Sequence, residues 1–236
     1  MSPFIGEFIG TALLVTLGDG VVANVVLNKT KGNNSGWIVI TFGWAMAVFI
    51  GVYASQHFGG GGHINPAVTL ALSAFGNFDS SLLGTYIAAQ FAGAIVGAII
   101  VWIAYKKHFD ETDDKDLKLA VFCNAPAIRS LPHNLITEII GTFILLLGVL
   151  AMSKPTDALG TLNALPAALL VLAIGLSIGG PTGYAINPAR DLGPRIAHFL
   201  LPIKNKRDSD WSYSWITVAG PVAGALLAAF IFKSIS

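Results

Sequence analysis

The chain alternates between long apolar blocks and short polar stretches, and the blocks are nearly free of charge. Asp, Glu, Lys and Arg are absent from Gly32–Phe78, Ser80–Tyr105, Ile139–Ser153, Ala158–Ala189 and Trp211–Phe232. About 20 consecutive apolar residues cross a bilayer as a helix. The pattern therefore predicts six full spans, over about 4–27, 37–55, 81–105, 133–152, 163–179 and 211–233. The first holds Glu7 and Asp19 but lacks the basic start and cleavage site of a signal peptide, so it reads as a retained span. Two further apolar pieces, Pro66–Phe75 and Pro188–Phe199, run only some 10 to 12 residues, too short to cross and suited to re-entrant segments. Each follows a glycine-rich turn, Gly59–Gly62 and Gly179–Gly183. Backbone without partners in lipid costs several kcal/mol per group, so these turns must face protein or a water-filled cavity.

The pattern also repeats in order. Glu7-Phe8-Ile9-Gly10-Thr11 resembles Glu138-Ile139-Ile140-Gly141-Thr142, and the tripeptide Asn65-Pro66-Ala67 recurs as Asn187-Pro188-Ala189. Ala92-Gly93 with Gly97-Ala98 resembles Ala219-Gly220 with Gly224-Ala225, small residues four apart that let helices approach closely. One channel domain over 1–236 is expected, with repeats at about 1–105 and 133–236 joined by a loop at 106–132. Three spans per repeat is an odd number, so the second copy enters the membrane inverted and the two short segments come in from opposite faces.

Composition agrees with the class: 54% hydrophobic and 11% charged residues do not make the surface of a soluble domain. A net charge of +1 with no basic stripe gives no footprint for a nucleic-acid partner. Cys123 is the lone cysteine, so there is no intrachain disulfide, and the five histidines lack zinc-ligand spacing. No metal or cofactor is expected.

Asn is a favoured N-cap and Pro a favoured first helical residue, so each Asn-Pro-Ala alone is a helix start. Paired in inverted repeats, the two asparagines present amide donors end to end, and the positive ends of two half-helix dipoles add to them. Such a constriction repels cations and makes a passing water accept from protein, which interrupts a proton-conducting chain. The other open readings are a proton-coupled transporter, suggested by Asp19 and the other intramembrane carboxylates, and an intramembrane hydrolase using Asp19 and Asp191. The latter lacks a nucleophile with a base.

Over essentially its whole length the chain resembles the major intrinsic proteins and, within them, the aquaglyceroporins or glycerol uptake facilitators. The resemblance implies an all-α membrane protein: an aquaporin-like right-handed bundle of six spans and two half-helices, assembled as a homotetramer. It implies a passive channel rather than an enzyme, passing glycerol, other small uncharged solutes and some water while excluding ions and protons. Asp191, after Arg190, is the subfamily's acidic marker; its place on the first turn of a half-helix equally suits a structural role. The constriction implied is Trp44, Gly175, Tyr184 and Arg190. Arg190 is costly inside an apolar region, and its alternative is an ion pair with Asp191 or Glu138. Gly175 stands where water channels usually carry histidine, leaving room for a three-carbon solute and for the Tyr184 ring. Trp44 and Tyr184 would face the CH2 edge of a polyol while Arg190 and backbone carbonyls pair its hydroxyls. Carbonyls of Gly61, Gly62 and His63 and of Gly183, Tyr184 and Ala185 would form an acceptor ladder, and Glu7 and Glu138 would anchor the re-entrant loops.

Two departures accompany the resemblance. Many glycerol facilitators carry phenylalanine at the Tyr184 position, so a phenol hydroxyl enters the filter region. Aligning Trp44 needs one extra residue in the loop Ser55–Gly62; if that residue shifts the second span's register, Trp44 is a core or interfacial tryptophan. Beyond glycerol and water, a wide filter admits dihydroxyacetone, urea, hydrogen peroxide and undissociated lactic acid. The implied site is the inner or plasma membrane with both termini cytoplasmic. Lys29, Lys31, Lys106, Lys107, Lys115, Lys118, Arg129, Lys204, Lys206 and Arg207 then lie outside and only Lys154 and Lys233 inside, against the positive-inside rule.

Overall fold

A computed structural model describes residues 2–76, 78–152 and 159–236. Lys154 lies outside the described residues. The described residues are all-α, without a strand. Among the described residues six helical segments are long and apolar enough to cross a membrane: Pro3–Val26, Trp37–His57, Ser80–Glu111, Leu131–Ala151, Gly160–Ile178 and Trp211–Ile235. In chain order the α-helices are α1 (Pro3–Val26), α2 (Trp37–His57), α3 (Pro66–Ala74), α4 (Leu83–Glu111), α5 (Lys115–Ala120), α6 (Leu131–Ala151), α7 (Leu165–Ile178), α8 (Pro188–Leu200), α9 (Trp211–Ser214) and α10 (Ile216–Ile235).

Packing follows the repeat. α4 lies on α1, and α10 lies on α6 in the corresponding way. The glycine pairs set these approaches: a Cβ on Gly93 would stand 2.4 Å from the Phe8 carbonyl oxygen, and one on Gly224 2.3 Å from that of Ile139. Those separations leave room for hydrogen only, so any larger residue would force the helices apart. Each half-helix packs chiefly on the last span of the other half, α3 on α10 and α8 on α4, which locks the halves together.

α4 differs from expectation. The apolar run ends at Tyr105, but the helix continues to Glu111 and carries Lys106, Lys107, Asp110 and Glu111 with it. Lys106 Nζ and Asp110 pair at 2.6 Å one turn apart, and α5 follows, capped by Asp114 Oδ1 accepting from two backbone N–H groups. Hydropathy marks where the bilayer ends, whereas helix formation continues on charged residues of good helical propensity.

The basic residues of this face are largely occupied. Lys29 pairs with Glu111, Lys106 with Asp110, Arg129 with Asp210 and Arg207 with Asp116. Lys118 Nζ donates to the Lys204 carbonyl at 2.6 Å, and Lys206 Nζ donates to the carbonyls of His198, Phe199 and Leu201. The last of these puts a cation on the unpaired carbonyls at the C-terminus of α8, where the dipole favours it. Burial pulls the Lys118 ammonium below its ordinary range.

Candidate functional site

The two re-entrant loops are held by two buried carboxylates. Glu7 on α1 accepts from Ser55 Oγ, from the backbone N–H groups of His63 and Ile64 at 3.0 and 2.7 Å, and from Gln90 Nε2. Glu138 on α6 accepts from Thr182 Oγ1 at 2.6 Å and from the N–H groups of Ala185 and Ile186 at 3.0 and 2.9 Å. Both carboxylates are fully buried. They hold backbone that would not choose this shape: Ile64, Tyr184 and Ile186 all sit at φ of 42–43°. The left-handed region is unfavourable for any residue with a Cβ, and most of all for β-branched isoleucine.

Those two isoleucine turns aim carbonyls at the centre of the molecule. Asn65 caps α3 through Oδ1, which accepts from Ala67 N–H, and its Nδ2 donates to the Ile186 carbonyl at 2.8 Å. Asn187 caps α8 in the same manner, and its Nδ2 donates to the Ile64 carbonyl at 2.8 Å. The half-helix N-termini therefore meet through a reciprocal pair of hydrogen bonds. An amide has two N–H groups; one of each pair is spent across the junction, leaving one per asparagine for a solute.

A cavity of about 460 Å³ runs past this junction, from Trp44, Tyr184 and Arg190 at one end to Gln56, Gly61, Gly62 and His63 at the other. Ala185 lines it too. Gly183 is not among the residues that line it, and its carbonyl accepts from Asn124 Nδ2 at 2.6 Å. Gly175 also lies off the wall, beneath the Tyr184 ring, where an added Cβ would stand 2.8 Å from Tyr184 Cζ. The Tyr184 hydroxyl is buried beside Gly175 and makes no hydrogen bond among the described residues, so the ring, not the phenol, faces the passage.

Arg190 makes no ion pair among the described residues. Its guanidinium carbon stands 3.9 Å from the centre of the Trp44 ring, a cation–π contact that positions both. Trp44 is buried in the fold's centre with its face to Arg190, and it packs where a Cβ on Gly18 would come within 2.2 Å of its ring. Asp191 is engaged elsewhere. It accepts from Asn124 N–H, from Thr217 Oγ1 and twice from Arg195, at 2.7–3.0 Å, and is fully buried with Arg195. Arg195 spends its remaining N–H groups on the carbonyls of Ser209, Asp210 and Asn124.

Three residues of this arrangement escape a sequence reading. Gly18 makes room for Trp44, Asn124 fixes the Gly183 turn, and Arg195 secures Asp191. Only the last leaves a trace in the sequence, an acidic and a basic residue four apart on a helix.

Spans that enclose a largely apolar passage studded with a few polar groups, with two half-helix N-termini joined at its middle and at one end an arginine without an ion pair among the described residues, define a transmembrane channel rather than an enzyme. The chain belongs to the major intrinsic protein family, whose model matches residues 1–232. It is 58% identical over 233 residues to a Thermotoga maritima protein named "Probable glycerol uptake facilitator protein", covering 99% of each chain. It is 51% identical to glycerol uptake facilitator protein 3 of Lactiplantibacillus plantarum, over 97% of this chain and 95% of that one. The X-ray structure of the aquaglyceroporin from Plasmodium falciparum matches with a TM-score of 0.85 at 32% identity, covering 99% of this chain and 95% of the other. Membership makes this a multi-pass membrane protein and a passive channel. It is family membership that retires the transporter and hydrolase readings. Glu7, Glu138 and Asp191 are engaged in loop and helix contacts, while Asp19 is fully buried with neither carboxylate oxygen hydrogen-bonded among the described residues.

Proposed function

We propose that the chain is a single-domain glycerol facilitator, with Trp44, Tyr184 and Arg190 as its selectivity filter and Gly175 as the residue that keeps the filter wide. The observation that carries this is the corner itself: the Arg190 guanidinium, without an ion pair among the described residues, stacked on the Trp44 indole, with the Tyr184 ring lining the same end of the passage. Glycerol offers a CH2 edge to the rings and hydroxyls to the guanidinium, so it loses little on leaving water. Ions lose far more, since nothing here replaces a hydration shell and both half-helix dipoles point positive ends inward. Water, dihydroxyacetone, urea, hydrogen peroxide and undissociated lactic acid fit the same width and neutrality.

Stopped-flow light scattering on proteoliposomes tests this. Glycerol flux linear in its gradient and indifferent to pH and ionophores is expected; flux that saturates and collapses with the proton gradient sinks the proposal.

The assembly is a homotetramer in the inner or plasma membrane, with both termini cytoplasmic. Support for the orientation comes from the family resemblance alone. The count of basic residues runs against it, and the ion pairs of Lys29, Lys106, Arg129 and Arg207 do not lift that conflict, since acidic residues contribute little to the positive-inside rule. A tag after Ser236 should stay unlabelled by impermeant reagent on intact cells, and labelling would reverse the assignment.

A further inference from the structure

The Tyr184 ring is held by packing alone. Its hydroxyl has no partner among the described residues and its backbone sits at φ 42°, so the neighbours of the ring decide where it stands. One of them is Trp37, the first residue of α2. The Trp37 ring meets the Tyr184 ring edge to face, with centroids 5.8 Å apart and planes at 82°. Trp37 Nε1 also donates to the Gly175 carbonyl at 3.0 Å. Gly175 belongs to the last turn of α7, whose carbonyls have no partner further along the helix, so the indole satisfies one of them from across the bundle. Gly179 completes the arrangement: a Cβ there would lie 2.5 Å from Tyr184 Cδ1, 2.6 Å from the Gly175 carbonyl oxygen that Trp37 bonds, and 3.0 Å from Trp37 Cζ2.

We infer that Trp37 is a positioning residue for the filter: it clamps the start of α2 to the end of α7 and buttresses the Tyr184 ring, so that ring position, and with it the widest solute admitted, depends on an indole outside the wall. The inference rests on the filter reading of this corner. Trp37 does not line the cavity and is 41% exposed, so its removal takes away a brace and not a core side chain. Sequence offered no hint of it, since a tryptophan at the start of a span reads as an interfacial anchor.

Purified wild type and the variants Trp37→Leu, Trp37→Phe and Gly179→Ala, reconstituted in liposomes, are compared for glycerol, erythritol and water permeability. Trp37→Leu should raise the erythritol-to-glycerol ratio roughly threefold to tenfold, the equilibrium weight of one aromatic edge contact. Trp37→Phe keeps a ring but loses the N–H and should raise it less. Gly179→Ala pushes the Tyr184 ring from behind and should lower the ratio. A purely structural Trp37 would scale all three permeabilities together and leave the ratio at its wild-type value, which overturns the inference. Should Trp37→Leu not fold, Trp37→Phe and Gly179→Ala must still shift the ratio in opposite directions, and a common direction or no shift overturns it equally. Wild type that passes no glycerol defeats the filter reading itself, and this inference falls with it.

Discussion

Gly175→His should abolish glycerol conduction, lowering it at least about tenfold and so raising the barrier by more than about 1.4 kcal/mol, while water conduction falls much less. The cause is steric and specific. A single carbon added at Gly175 already comes within 2.8 Å of Tyr184 Cζ and 3.0 Å of Thr41 Cγ2. Thr41 is fixed, with Oγ1 bonded to carbonyls of its own helix, and α2 stands behind it. The Tyr184 ring faces an open cavity on its other side, so it is the partner that yields, and it yields into the passage. A three-carbon solute feels that displacement over its whole width, whereas a water molecule needs a much smaller opening. Gly175→Ala should reproduce part of the loss, and Gly175→Ala with Tyr184→Val should recover glycerol flux because the displaced ring is gone. The readout is the ratio of glycerol to water permeability in proteoliposomes at matched protein content. Unchanged glycerol flux in Gly175→His would remove Gly175 and Tyr184 from any role in setting the width.

The spans and the paired half-helices were legible because each rests on a local rule. Charge-free runs report the bilayer, and Asn followed by Pro reports a helix start that the side chain of Asn65 or Asn187 then caps. Glu7 and Glu138 could be found by their equivalent places in the repeats, since symmetry carries tertiary information into one dimension. What lay hidden needed distances between elements. The reciprocal bonds from Asn65 to the Ile186 carbonyl and from Asn187 to the Ile64 carbonyl depend on two left-handed isoleucines, a conformation that no propensity assigns to isoleucine. Gly18 looks like any small residue in an apolar helix until Trp44 is seen against it. The bond that the Gly183 carbonyl accepts from Asn124, a loop asparagine 59 residues away, is likewise visible only in the folded chain. The end of α4 was missed for a different reason: apolarity and helicity part company where a helix leaves the membrane.

Asp191→Ala should destabilise the protein by about 3–5 kcal/mol, because it strands a fully buried guanidinium without its carboxylate. Arg195 would keep its bonds to three carbonyls, but the charge itself would be unanswered, and the Asn124 N–H would lose its acceptor as well, while the Thr217 hydroxyl would keep only the Ser214 carbonyl. In detergent the thermal midpoint should drop by about 6–20 °C at this chain length. Pairing Asp191→Ala with Arg195→Met removes both charges, so the double variant should fall short of the sum of the single losses by more than about 1 kcal/mol. The same network reaches the passage. Asn124 donates its backbone N–H to Asp191 and its side-chain amide to the Gly183 carbonyl, one residue before Tyr184. Asp191 is not among the residues that line the passage, so its substitution is expected to act on permeation through stability and loop position. Asp191→Asn separates these ideas: its amide cannot accept from both Asn124 and Arg195 on the Oδ2 side, so stability should fall along with flux for all solutes. A variant of full stability with an altered preference among solutes would instead place Asp191 at the wall.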